Sequence, residues 1–150
     1  MSKFAGNSRR ELLREMFPGA TRVDVGEASV DYVARLYEAS GYVVGPQLRE
    51  FLSEYRELSV SWMYNGMEVG VTIGVEEALS FYPGNVRIDS RKVQRPLVPV
   101  GSAFDTEEMV LIANDGDVFL AGDAGMQYVG NGFAQSMRAL ISGEWDKTFF

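Results

Sequence analysis

The stretch SVSWMYNGMEVGVTI, residues 59–73, constrains this chain more than any other. Apolar and polar side chains alternate on both sides of Asn65-Gly66. That dipeptide suits a two-residue type I′ turn, because both central residues of such a turn need positive φ. The turn sets the pairing: Tyr64 opposite Met67 and, at the far end of the ladder, Leu58 opposite Ile73. In this register Leu58, Val60, Trp62, Tyr64, Met67, Val69, Val71 and Ile73 share one face, while Ser59, Ser61, Met63, Glu68, Gly70 and Thr72 share the other. One face is apolar or aromatic and the other mostly polar, as in a half-buried antiparallel pair. A slip of one residue would mix the two faces, so the hairpin at 58–73 is strongly specified.

A second apolar pair brackets NDGDVFLAGD, residues 114–123. Its three aspartates and two glycines suit a calcium loop, an acidic catalytic site or a plain turn. A calcium loop counted from Asp115 puts Phe119 and Leu120 where an oxygen ligand and the obligatory glycine belong, so that reading fails. MVLIA before Asn114 and VFLAG after Asp117 read instead as a hairpin at 108–122. With Asp115-Gly116 as a two-residue turn, Ala113 falls opposite Val118 and Leu111 opposite Leu120. Met109, Leu111, Ala113, Val118 and Leu120 then share one face, and Val110, Ile112, Phe119 and Ala121 the other. Both faces are apolar, which predicts central strands covered on both sides. The aspartates are read as turn residues, and no metal is assigned to them.

Helical spacing occupies the rest. Ser8 and Glu11 have capping-box spacing ahead of Leu12, Leu13, Met16 and Phe17, and Pro18-Gly19 stops this short first helix. A second helix runs over 30–40, burying Val33, Leu36 and Tyr37, and Gly41 ends it. Pro46 opens a third, with Leu48, Phe51, Leu52 and Tyr55 along one face. Residues 75–81 suit a short helix ended by Pro83-Gly84, and 84–95 fit either a loop or a further short helix. Asn131 caps a last helix whose Phe133, Met137, Leu140 and Ile141 form the apolar side and which Gly143 ends. The expected class is α+β: a predominantly antiparallel sheet with two hairpins, and N-terminal helices and a C-terminal helix packed on it.

The chain has no histidine and no cysteine. Without imidazole or thiol there is no Ser-His-Asp or Cys-His constellation, no thiolate or His-rich metal site and no disulfide. GNGFAQ, from Gly130, misses the third glycine of a dinucleotide fingerprint and has no strand after its helix, so no cofactor is expected. Carboxylates, amines and hydroxyls remain, and they leave a carboxylate-dependent hydrolase, with or without magnesium, as the one enzymatic alternative. The net charge is −7 and is unevenly placed. Residues 1–57 carry 8 basic and 9 acidic side chains, 58–95 carry 4 of each, and 96–150 carry 2 and 8. Such a surface repels nucleic acid and anionic membrane and attracts a basic protein. At 150 residues the chain fits a single domain spanning 1–150. It shows neither the apolar stretch of a signal peptide nor a membrane-length one, which points to the cytoplasm.

Several stretches in order, FPGATRVDV, LREFLSEYRELSV, RPLVPVG, VLIANDGDVF and YVGNGFAQSMRALISG, resemble the SUKH superfamily, and within it the third SUKH subfamily. The family's usual Gly-Gly-Leu after the third helix is Arg56-Glu57-Leu58 here. The resemblance implies a cytoplasmic immunity protein that is not an enzyme and that binds and neutralises a cognate bacterial toxin domain, commonly a nuclease or deaminase. A general docking or regulatory module of the same fold is the other function it allows. A nuclease needs a basic substrate groove, and Asp105, Glu107, Glu108, Asp115, Asp117 and Asp123 are the carboxylates expected to occupy one as phosphate surrogates.

Overall fold

The structure, a computed structural model, describes residues 2–105 and 108–150, with the backbone alone over 2–8. Along these residues run α1 (Ser2–Met16), β1 (Ala20–Val25), α2 (Val30–Ala39), α3 (Pro46–Tyr55), β2 (Leu58–Tyr64), β3 (Met67–Ile73), α4 (Val75–Leu79), α5 (Pro83–Val93), β4 (Leu97–Ala103), β5 (Glu108–Ala113), β6 (Asp117–Gly122), β7 (Gly125–Asn131) and α6 (Phe133–Ser142). The strands form one antiparallel meander in which each lies beside its neighbours in sequence. The α+β architecture with two hairpins is therefore as expected.

The first hairpin keeps its predicted register from Leu58↔Ile73 to Tyr64↔Met67. Asn65 and Gly66 turn it with φ of 50° and 79°, as a type I′ turn requires. Leu58, Val60, Trp62, Val71 and Ile73 are buried, but Tyr64 and Met67 stay 44% and 69% exposed. β4 pairs with β3 only over Val71–Ile73, so the hairpin tip extends past its neighbour and loses cover.

The second hairpin is displaced by one residue from the predicted pairing. Leu111 lies opposite Phe119 and Ile112 opposite Val118. The turn has three residues, not two: the Gly116 N–H donates to the Ala113 carbonyl at 3.0 Å, and among 114–116 only Gly116 has positive φ, at 95°. This is a type I turn followed by a left-handed residue. The Asp117 N–H donates to the Asp115 carboxylate at 3.1 Å, the local bond with which aspartate shapes such turns. The shift moves Val118 and Leu120 to the face of Val110, and Phe119 and Ala121 to that of Met109 and Leu111. A strand pair that is apolar on both faces gives its pattern no power to choose a register, so turn chemistry decides it.

The predicted cover on both sides is present. Val110, Val118 and Leu120 belong to the larger core, which includes Leu13 of α1 and Phe17 just after it, Tyr37 of α2, Leu52 of α3 and Met137 of α6. Met109, Leu111, Phe119 and Met126 belong to a smaller core against Val86 of α5, with Phe81 and Val93 at its margin. Strands β1, β4 and β7 were not anticipated. β1 is a half-exposed edge strand with an irregularity between Ala20 and Arg22. β4 contains Pro99, a residue that argues against a central strand. It is accommodated because pairing to β3 begins only at Gly101, and the Tyr37 hydroxyl donates to the Pro99 carbonyl at 2.7 Å. β7 carries a polar residue inward: Gln127 is buried and its side-chain amide donates to the Lys147 carbonyl at 2.6 Å.

The helices differ from expectation in four places, three of them boundaries. α1 starts at Ser2, so Ser8 lies inside it and does not cap it. α2 buries Ala34 in place of Leu36. Pro83 occupies the first turn of α5 and opens that helix, the position proline tolerates best. α6 is preceded by Gly132, and Asn131 is the last residue of β7. At the Arg56-Glu57-Leu58 junction, Arg56 stays right-handed and no glycine turn forms. The Glu57 carboxylate accepts the Ala28 N–H at 3.2 Å and lies over Gly26, where a Cβ would come within 1.7 Å of it.

Candidate functional site

The antiparallel meander assigns each turn to one end of the sheet. The β2–β3, β4–β5 and β6–β7 turns lie at one end, and the β5–β6 turn and the β7–α6 junction at the other. The predicted carboxylates therefore divide. Asp105, Glu108 and Asp123 belong to the first end: Asp105 in the β4–β5 turn, with a left-handed φ of 59°, Glu108 at the start of β5, and Asp123 in the β6–β7 turn. Glu107 falls outside the described residues. Asp115 and Asp117 lie at the second end, a strand length of about 20 Å away.

Asp115 and Asp117 are held by a built network. Arg95 Nη1 donates to Asp115 Oδ2 at 2.6 Å and also to Asp117 Oδ2. The Arg95 guanidinium lies 5.5 Å from the centre of the Phe119 ring, a cation–π contact. Asn131 Nδ2 donates to Asp117 Oδ1 at 2.9 Å and to the Asp115 carbonyl at 3.1 Å, and the Tyr128 hydroxyl donates to Asp117 Oδ1 at 3.2 Å. Partial burial pushes the Asp117 carboxyl up, but the hydrogen bonds from Asn131, Arg95 and Tyr128 outweigh it and hold the group below its ordinary range. Asn131 thus ties β7 to the β5–β6 turn, which is why it is absent from the helix cap. With one cation shared between two carboxylates, the three side chains present one net negative charge.

Beside this turn opens a groove of about 930 Å³ between α3, the N-terminal turn of α6 and the ends of β4 and β5. Its floor is aromatic. The Phe133 ring centre is 5.2 Å from that of Phe51 and 4.6 Å from that of Tyr55, and Val98 and Ile112 continue the apolar surface. Pro46 starts α3 so that Leu48, Leu52 and Tyr55 face the core, which leaves Glu50 and Glu54, one turn apart, exposed on the groove's wall. Asp115 stands on the facing turn. Arg138 is the one cation among the described lining residues, and its Nη1 donates away to the Met16 carbonyl at 3.3 Å. Burial pushes the Tyr55 hydroxyl up to about 12, with the charge and hydrogen bond of Glu54 adding to the shift and Arg138 opposing it. The hydroxyl stays protonated and is not a base at neutral pH.

The reading from sequence missed this groove, although α3 carried a signal for it: two glutamates at i, i+4 on the side away from the apolar stripe. Among the described residues no group of three acidic side chains converges as a metal centre would need, and no helix is long and apolar enough to cross a membrane. Neither the curated proteins nor the solved structures contain a significant match to this chain. A family model described as SUKH-3 immunity protein does match, over residues 21–143. That span runs from β1 through α6 and takes in every strand of the sheet and all of the groove; the chain belongs to the SUKH-3 immunity protein family, and the role this carries is immunity against a toxin.

Proposed function

We propose that this protein neutralises one cognate toxin by binding its active domain and occluding it, and that the toxin is a nuclease or deaminase with a basic substrate cleft. Family membership over residues 21–143 carries the reading. The charge distribution supports it, since residues 96–150 hold 8 acidic against 2 basic side chains, a bias that steers a basic partner toward the surface. Asp105, Glu107, Glu108, Asp115, Asp117 and Asp123 are the carboxylates proposed to face the toxin. Their division between two sheet ends calls for a partner that spans the sheet, which a standard interface of roughly 800 Å² per partner does.

The test is coexpression with the toxin domain encoded beside this protein's gene. Rescue of growth, with a stable complex of the two purified chains, is the expected result. Replacing Asp115 and Asp117 by lysine should slow association several-fold at low salt and much less at high salt, where exposed charges are screened. Growth arrest that persists despite soluble, folded protein would refute the immunity reading. A rate insensitive to ionic strength would refute only the role given to the carboxylates.

A further inference from the structure

The geometry points to the groove between α3 and α6 as the docking site for an arginine-bearing segment of the toxin, an assignment that rests on the immunity reading above. Three features select that occupant. First, the wall is acidic: Glu50 and Glu54 of α3 line it together with Asp115 of the β5–β6 turn, whose charge Arg95 already meets, and Arg138, the one cation among the described lining residues, is directed to the Met16 carbonyl. Second, aromatic rings line the same groove as these carboxylates. Phe51 lines the groove and is half-buried, with its ring centre 5.4 Å from that of Tyr55 and 5.2 Å from that of Phe133. A guanidinium is the cation best matched to this pairing, because its plane lies on an aromatic face while its edge donates in a fork to carboxylates. Third, the volume of about 930 Å³ exceeds what one side chain fills. It accommodates a short segment, with an apolar neighbour of the arginine placed on Val98 and Ile112.

The protein already contains a smaller version of the same contact. Arg95 lies over Phe119 and donates to both Asp115 and Asp117 on the other side of the same turn. There the cation belongs to this chain. In the groove the Phe51 ring and the Glu50 carboxylate are in place and the cation is left to the partner. The Glu50 carboxylate has neither an ion pair nor a hydrogen bond among the described residues, so meeting a guanidinium breaks no existing contact.

The experiment is a titration of the full chain with the toxin domain encoded beside its gene, comparing four proteins. Glu50→Gln with Glu54→Gln should weaken binding about tenfold or more, and Phe51→Leu, which keeps an apolar floor but removes the ring, about threefold or more. Glu38→Gln with Glu76→Gln makes the same change in net charge at exposed positions outside the groove and should stay within about twofold of the unchanged protein. Thermal unfolding of each variant establishes that it is folded. Wild-type affinity in both groove variants overturns the docking site while leaving immunity intact. Equal weakening in the groove and control pairs also overturns it, by showing long-range steering in place of contact. Absence of binding and of growth rescue by the unchanged protein overturns the immunity reading and the docking site together.

Discussion

Asp117 is the residue whose environment has the clearest thermodynamic consequence. Three hydrogen-bond donors hold its carboxyl below the ordinary range, against the opposing effect of partial burial. A carboxyl depressed in the folded state contributes stability that is fully present above its unfolded value, near pH 4, and is lost as the pH falls through the folded value. Asp117→Asn should therefore cost about 1–2 kcal/mol at pH 7, the scale of hydrogen bonds to a charged group. The difference from the unchanged protein should shrink as the pH drops below about 4. Urea unfolding at pH 7, 4 and 3 measures this; a gap that stays constant with pH would show that the network stabilises the turn without favouring the ionised form. Asn131 illustrates the ambiguity of a residue read by itself. Ahead of a helical pattern it has the identity of an N-cap, yet it ends a strand and its amide closes the turn across the sheet.

Among the elements, β4 is the one that depends most on a single position. A Cβ on Gly101 would come within 2.0 Å of the Thr72 carbonyl oxygen and 2.9 Å of the Ile73 Cα. Those are backbone atoms of the paired strand, which cannot move aside without breaking the ladder to β3. Gly101→Ala should cost about 3 kcal/mol, at the upper end for overpacking, as read from chemical denaturation. Gly116→Ala provides the comparison, because nothing lies closer than 3.6 Å to its added carbon. Its φ of 95° leaves only left-handed backbone strain, about 1–2 kcal/mol. If the two cost the same, contact across β3 and β4 is not what requires glycine at 101. The 58–73 hairpin was legible because one polar face makes any slip expensive. The 108–122 hairpin was legible as a pair of covered strands but not in register, because both alternatives bury apolar side chains equally.

At the scale of the whole molecule, the two cores meet on opposite faces of β5 and β6, so these strands are the best-protected part of the protein. Amide exchange should be slowest there, at the level of global unfolding, and fastest at 63–68, where the hairpin tip leaves its cover. Equal protection along the sheet would contradict this layering. The amino-acid sequence alone determined the α+β class, the first hairpin with its register, the covering of the second, and the absence of histidine and cysteine chemistry. Each of these is a local matter of side-chain periodicity, turn type or residue inventory. The tertiary structure alone decided that β1, β4 and β7 join the sheet: the proline of β4 is tolerated because pairing to β3 begins only at Gly101 and Tyr37 meets the Pro99 carbonyl, and the inward amide of β7 because it donates to the Lys147 carbonyl. It also decided the separation of the acidic residues and the assembly of the groove. Glu50, Asp115 and Phe133 lie far apart in sequence and become neighbours only when α3 and α6 pack on one end of the sheet, and no local pattern encodes a contact between distant segments.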